Sequence, residues 1–478
     1  MDQPAPTGRT NLIVATLAFA GTAAALMQTL VVPFIGELPT LLNTSASNAS
    51  WVITVTLLVA SVATPVSGRL GDLYGKKPML LASTVPLILG SVVCALSDTL
   101  VPMIVGRGLQ GLGVGIIPLG VSALRDILPP AKIGSAIALI SASLGIGAAL
   151  GLPIAAAVGE HADFQVLFWG SGALMAVVAV LIWRVLPSVK VRNEGRFDAL
   201  GAVGLGAGLV CLLLAISKGA DWGWGSASVI GLFAAAAVIL LAWGRFELRH
   251  SDPLVDLRTT ARPQVLLTNV ASIAVGFAMY VQMLVTMQLL QLPEAIGYGL
   301  GQSMLAAGLW MAPNGIVMML ISPVGAKLSA LRGPKVTLIV GAVIIAAGYG
   351  SMLALMGSAL GLMIASCVCA AGTGFAYGAM PALIMGGVPL SETAAANSFN
   401  TLMRSIGTSV SSAVVGLVLS QMTITVAGHS VASENGFRTA IGIGIGAALL
   451  AAAISFAIPS RKAAPAGAAL REPVGTAA

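Results

Sequence analysis

One ten-residue stretch concentrates more chemistry than any other part of this sequence: Gly68-Arg69-Leu-Gly-Asp72-Leu-Tyr-Gly75-Lys76-Lys77. Its glycines permit a tight turn and a close approach of neighbouring helices. Asp72, near the start of the third apolar run, can meet a helix N-terminus, and Lys76 or Lys77 can meet Asp126. Contacts made in one conformation and broken in another are what a gate requires, whereas the competing reading is a plain positively charged turn. We expect Gly68, Arg69, Asp72, Gly75, Lys76, Lys77 and Asp126 to form a gate loop. Two arginines, Arg107 and Arg404, stand inside apolar runs, with Arg404 nearer a run's end. A guanidinium there needs acceptors and must face protein or water. A functional role and a structural one, bonded to backbone carbonyls, are both open. Gln28 lies at a depth similar to that of Arg107, counting ~1.5 Å per helical residue, and its amide can bond a ligand or the arginine.

None of the 17 acidic residues falls in the middle of an apolar run. Proton coupling needs a group that changes charge, which leaves Glu37 and Glu294, at run ends, as candidates for protonation. Solvated loop carboxylates are the competing reading. Met27, Tyr280, Gln282, Gln288, Trp310, Asn314 and Asn400 are candidates to line a central substrate cavity. The methionines around them suit a plastic apolar site and equally suit packing. The four cysteines lie in apolar runs and the three histidines in loops, so no metal site is expected. Glycine-rich runs such as Gly111-Leu-Gly113 follow no strand and lack an acidic partner, which argues against nucleotide binding and ATP drive. No paired carboxylates and no Ser/His/Asp set suggest an enzyme.

The elements that must position these residues follow from composition. Of 478 residues, 57% are hydrophobic and only 9% charged, with mean hydropathy +0.97, against roughly 25% charged in soluble domains. A water-soluble fold of this length cannot hide so much apolar side chain, so the bilayer is its solvent. Fourteen apolar runs of helical length are cut by polar or Pro/Gly punctuation; among them are 12–34, 99–121, 199–216, 228–246 and 396–420. All but Lys218, Arg438, Arg107 and Arg404 of the 24 Lys and Arg fall on one side of this arrangement, which places both termini in the cytoplasm. The first run reads as a retained helix, not a removable signal. The net charge of +7 is spread through these loops and does not mark a nucleic-acid surface.

An internal repeat relates Gly68–Lys77 to Ala326–Lys335, and Ser143–Gly147 to Ser405–Ser409, at similar offsets. The pattern implies two related six-helix halves with a two-helix insert, as many transporters build a site between repeats. The expected organisation is a six-helix bundle over 1–190, the insert over 191–262, a second bundle over 263–460 and a disordered cytoplasmic tail over 461–478.

These residues carry a resemblance. The Gly68–Lys77 string is similar to the signature loop of the major facilitator superfamily, and Arg107-Gly-Leu-Gln110-Gly111 resembles that family's Arg-x-x-Gln-Gly pattern. Fourteen runs, Arg-Phe197-Asp198-Ala-Leu-Gly201 and Arg404 resemble its fourteen-helix drug:proton antiporter branch. The resemblance implies an all-α, major-facilitator-type membrane fold of two six-helix bundles plus two central helices. It implies a secondary active exporter of amphipathic or apolar small molecules, coupled to protons through a central site of Gln28, Arg107, Gln110 and Arg404. The expected partners are the substrate, protons and the lipids of the cytoplasmic membrane; no cofactor, nucleic acid or ATP is expected. Two departures stand out. Gln28 occupies the place of the branch's span-one Asp, and the span-five hallmark reads Gly147-Ala-Ala-Leu-Gly151-Leu-Pro153. They keep open a facilitator without proton coupling, or a transporter of a lipid or natural product. A channel and a membrane-embedded enzyme are more distant rivals.

Overall fold

The structure is a computed structural model that describes residues 7–31, 33–34, 37–189, 195–426 and 429–459; the expected tail over 461–478 lies outside them. Among the described residues, fourteen helices are long and apolar enough to cross a membrane. Spans one to six are Thr10–Thr29, Trp51–Tyr74, Lys76–Ala95, Leu100–Ile127, Lys132–Gly159 and Gln165–Val185. Spans seven and eight are Ala199–Trp222 and Ala227–Glu247. Spans nine to fourteen are Pro263–Gln291, Met304–Arg332, Pro334–Leu355, Ala359–Gly387, Leu390–Gln421 and Glu434–Ala457. The loops after even-numbered spans form one face, here called the basic face because it holds most Lys and Arg.

Several boundaries differ from the sequence reading for local reasons. Span one stops at Thr29, ahead of Pro33, whose missing N–H cannot continue the helical ladder. Span four is two segments, Leu100–Gly113 and Ile116–Ile127, and so reaches farther than 121. At the break, a Cβ on Gly115 would lie 2.6 Å from Ser67 Cβ, so glycine lets span four lie against span two. The helical part of span thirteen begins at Thr393. A short antiparallel hairpin, β1 Thr423–Val426 and β2 His429–Ala432, joins spans thirteen and fourteen. The β-branched run Thr423-Ile-Thr-Val426 favours it, where the sequence reading had only a loop.

The two bundles meet along two seams, span five against span ten and span two against span thirteen. Small residues allow the first. A Cβ on Gly315 would stand 2.6 Å from the Gly145 carbonyl oxygen and 2.7 Å from Ala149 Cβ. Gly315→Val is therefore expected to lower stability by about 1–3 kcal/mol through overpacking, read as a lower melting temperature in detergent. An unchanged melting temperature would contradict this packing.

The insert covers the second seam. Leu205 and Leu209 of span seven cluster with Val62 and Val66 of span two and with Phe399 and Leu402 of span thirteen. Span eight packs on span seven through Leu240 and Trp243 and otherwise faces outward. At the far end, buried Lys218 bonds Ser50 Oγ at 2.5 Å and Asp221 at 3.0 Å, and sits over the Trp51 ring. The repeat is visible in the backbone too. Gly75 and Gly333, aligned by the duplicated loops, have φ/ψ of 99/145 and 88/155. That left-handed region favours glycine, and in both loops a helix resumes at the next residue.

Candidate functional site

The Gly68–Lys77 loop assembles as a junction between bundles. Span two delivers Asp72 to the basic face, where its side chain is buried. Its two carboxylate oxygens accept the amides of Ala394 (3.1 Å) and Ala395 (2.9 Å). These are first-turn amides of the helix beginning at Thr393, which has no intrahelical partners for them. The helix met by Asp72 is thus span thirteen, not the neighbouring span three near which the sequence placed it. A carboxylate out of water is costly unless hydrogen-bonded and paired. The span-thirteen N-terminus supplies both donors and a favourable dipole, and Lys76 Nζ lies 3.7 Å away.

Lys76 also forms the expected pair with Asp126, at 2.6 Å. Lys77 does something else: its Nζ donates to the carbonyls of Trp183 (2.8 Å) and Leu186 (2.6 Å), closing the C-terminal end of span six. Arg69 is buried beside Asp252, and its Nε has no partner. The bundles also touch closely at Gly68, where a Cβ would collide with Ser398 Oγ and lie 2.6 Å from the Ala394 carbonyl oxygen.

Span four supplies contacts that sequence reasoning missed. Arg125 Nη1 donates to Thr393 Oγ1 (3.1 Å) and to the Val388 carbonyl (3.3 Å). Ser122 Oγ donates to the Thr393 carbonyl (3.2 Å) and accepts from Asn397 Nδ2 (3.2 Å). No motif marked them; Arg125 immediately precedes Asp126, and Ser122 stands one turn earlier. Together they close the basic face around a cleft of about 240 Å³ that Asp72, Lys76, Arg125, Asp126 and Leu390 help to line.

The expected central constellation is not gathered in one place. Arg107 is 2% exposed. Its Nη1 donates to Gln110 Oε1 (2.7 Å) and the Met27 carbonyl (3.5 Å), and its Nε to the Val52 carbonyl (3.2 Å). Gln110 Nε2 passes the chain on to Ser91 Oγ (2.9 Å). Arg107 thus reaches the backbone beside Gln28, and not its amide. Met27 lies in the last turn of span one, so the guanidinium meets the negative end of that helix. All its acceptors are uncharged, and the geometry matches the carbonyl-bonded alternative.

Arg404 sits elsewhere. It lies eleven residues past Thr393, ~16 Å into the helix at 1.5 Å per residue, and so near mid-membrane rather than near an end. Its guanidinium carbon stands 4.5 Å from the centroid of the Tyr377 ring, a cation–π contact. Tyr377 Oη donates to Met279 Sδ at 3.0 Å, and Ser141 Oγ to the Tyr377 carbonyl at 3.0 Å. This cluster joins spans five, nine, twelve and thirteen; the sequence reading singled out Arg404 of it and took in Met279 only among the methionines near the candidate cavity.

The remaining candidates divide. Gln282 and Asn400 are buried in the second bundle, where Asn400 Nδ2 bonds Asn269 (2.9 Å) and Ser272 (2.8 Å). Met27 is packed in the core of the first bundle. Trp310 Nε1 bonds Gln302 of a loop at 3.0 Å, and Asn314 accepts from Cys367 Sγ at 3.5 Å. Tyr280 faces Ser412, and Gln288 is exposed. Polar side chains at helix–helix contacts serve packing as readily as a cavity, and one-dimensional spacing does not tell the two apart. Glu37 and Glu294 are exposed in loops on the face opposite the basic one, away from Arg107 and Arg404. Among the described residues no His/Cys/Asp/Glu group could hold a metal ion.

Comparison with known proteins fits this geometry. The chain is 27% identical over 319 residues to the uncharacterized MFS-type transporter YhcA of Bacillus subtilis (strain 168), a match covering 66% of this chain and 59% of that one. It is 24% identical over 424 residues to multidrug resistance protein 3 of the same organism, covering 86% and 79% respectively. The chain thus spans about three fifths of the length of the first of these relatives. The crystal structure of the human organic anion transporter MFSD10 (TETRAN) superposes with a TM-score of 0.63 at 16% identity, over 94% of this chain and 100% of that one; at that identity the likeness concerns the fold. The profile of the Major Facilitator Superfamily matches residues 17–412. With two bundles, an insert and a loop after span two whose Asp72 ties it to span thirteen, this multi-pass membrane protein belongs to the major facilitator superfamily of transporters.

Proposed function

We propose that the chain is a secondary active exporter of amphipathic or apolar small molecules, working by alternating access with proton antiport. It works in the cytoplasmic membrane with its basic face and both termini in the cytoplasm. The observation that carries this reading is the seat of the Asp72 carboxylate on the first-turn amides of span thirteen. That contact joins the two bundles, can be made and broken, and biases one of two states. The run of Lys and Arg on the basic face supports the orientation, and the multidrug resistance protein among the relatives supports the substrate class. In this reading the substrate passes the Arg404–Tyr377–Met279 cluster, whose aromatic and thioether groups suit an apolar or amphipathic ligand.

A second reading, a facilitator without proton coupling, is favoured by the uncharged acceptors of Arg107 and by Gln28 in span one. Flux of a lipophilic dye into everted membrane vesicles separates the two. Antiport predicts uphill accumulation that stops when the proton gradient is collapsed. Unchanged flux without a gradient would sink antiport and leave the facilitator. No saturable dye flux at all would turn the search to a lipid or natural product.

A further inference from the structure

The insert carries two buried acids that neither the gate nor the central cluster uses. Asp198 is the N-cap of span seven, and its Oδ1 accepts the amide of Gly201 at 2.8 Å. Glu247 ends span eight, and its Oε2 accepts the amide of Leu254 at 3.1 Å. The two residues are 4% and 2% exposed. The other oxygen of each, Asp198 Oδ2 and Glu247 Oε1, is buried, and the one side-chain donor toward the Glu247 carboxyl among the described residues is the uncharged indole N–H of Trp243. Both oxygens crowd the same point, where a Cβ on Gly201 would stand. Glycine keeps that space open.

Among the described residues, the charged groups nearby are engaged elsewhere or exposed. Arg196, Arg245 and Arg249 are exposed. Arg258 bonds the Leu248 carbonyl at 2.9 Å, and Asp256 caps the turn at Arg258–Thr259. On span two, Arg69 lies beside Asp252. Span thirteen contributes the apolar side chains Phe399, Leu402, Met403 and Ile406 to the cluster around the insert. Among the described residues, neither Asp198 nor Glu247 forms an ion pair.

Two facing carboxylates, with only a neutral indole N–H added, cannot both stay ionised away from water without something positive between them. A single proton answers this. The acid's O–H then donates to the carboxylate, and one negative charge remains, held by two backbone amides beside the N-terminus of span seven. We propose that Asp198 and Glu247 form a proton-binding site that carries one shared proton while the basic face is closed. The site lies outside the central cluster and holds more than itself. Glu247 tethers Leu254, and Leu254 and Val255 pack in the same cluster as Leu402 of span thirteen. Loss of the proton sets two like charges against each other where the insert meets the bundle seam.

Infrared difference spectroscopy on the full-length protein in nanodiscs tests this without any transport assay, so it stands or falls separately from the exporter reading. The wild type is expected to show a protonated-carboxyl C=O stretch at neutral pH that is lost in the Asp198→Asn/Glu247→Gln double variant. Thermal stability gives a second readout. The folded pair binds one proton that the unfolded chain releases, so melting temperature falls as that proton titrates away with rising pH. Glu247→Gln, whose amide replaces the shared proton as donor, is expected to remove that part of the fall. If the double variant does not fold, Glu247→Gln alone carries both readouts. A C=O stretch untouched by the substitutions overturns the proposal. So does a stabilisation by Na⁺, K⁺ or a divalent ion that the variant loses, since the bridging species would then be a metal cation.

Discussion

Replacing Gly68 with alanine is expected to push spans two and thirteen apart at the basic face. The added Cβ has no free space, since Ser398 and the Ala394 carbonyl already occupy it. The carbonyl belongs to the turn whose amides hold Asp72, so relief of the clash draws those amides off the carboxylate. Overpacking of this kind costs about 1–3 kcal/mol, and only the closed state bears the cost. With tenfold per ~1.4 kcal/mol, the closed-to-open ratio drops by roughly 5- to 150-fold. Spin labels at Tyr74 and Leu390, both exposed beside the cleft, read the change as a longer distance in a background lacking the four native cysteines. Dye efflux in the same variant is expected to fall along with closure. Asp72→Asn is a milder version. The amide oxygen still accepts from one amide, but the charge that faces the helix dipole and Lys76 is gone, a loss of about 0.5–2 kcal/mol. An unchanged distance distribution in Gly68→Ala would show that the closed contact does not limit the cycle.

Arg107→Ala is expected to damage folding before it damages coupling. It strips the donor from Gln110 Oε1 and from the carbonyls of Met27 and Val52. A buried acceptor left bare costs about 1–3 kcal/mol, and the C-terminal end of span one loses its only cation of this network. Arg107→Lys is expected to recover little, because one ammonium cannot reproduce a planar fork that reaches three acceptors. Melting temperature in detergent measures the loss. The discriminating comparison is the gradient dependence of efflux in whatever Arg107→Lys protein folds. If efflux per folded molecule keeps its gradient dependence, Arg107 is a strut between spans one, two and four. If the gradient dependence disappears while melting temperature holds, the arginine takes part in coupling and the strut account is wrong.

Much of this loop could be read from the chain. Asp72 and Lys76 stand four residues apart, Asp126 was the acid the sequence offered to the lysine fifty residues on, and the repeat pointed to Gly333 as the counterpart of Gly75. The partner that matters most to Asp72, the amide pair at Ala394 and Ala395, lies more than three hundred residues away. Nothing in a helical N-terminus advertises which distant carboxylate will cap it. Arg107 and Gln28 illustrate the opposite problem. Equal depth along two helices was legible, but rotation about each helix axis was not, and rotation decided that Arg107 meets a backbone carbonyl of span one. Paired carboxylates were judged absent because no two acids share a short motif. Asp198 and Glu247 become neighbours only when spans seven and eight fold back on each other.

The sequence by itself determined the solvent, the number of spans and the duplicated plan. These follow from summed hydrophobicity and from glycine at a positive-φ turn, which act in bulk or over a few residues. Only the tertiary structure decided which side chains share a buried site. Burial turns a carboxylate or a guanidinium into a group that must find a partner, and helix packing, through the glycines at 68, 145, 201 and 315, determines which partner is within reach.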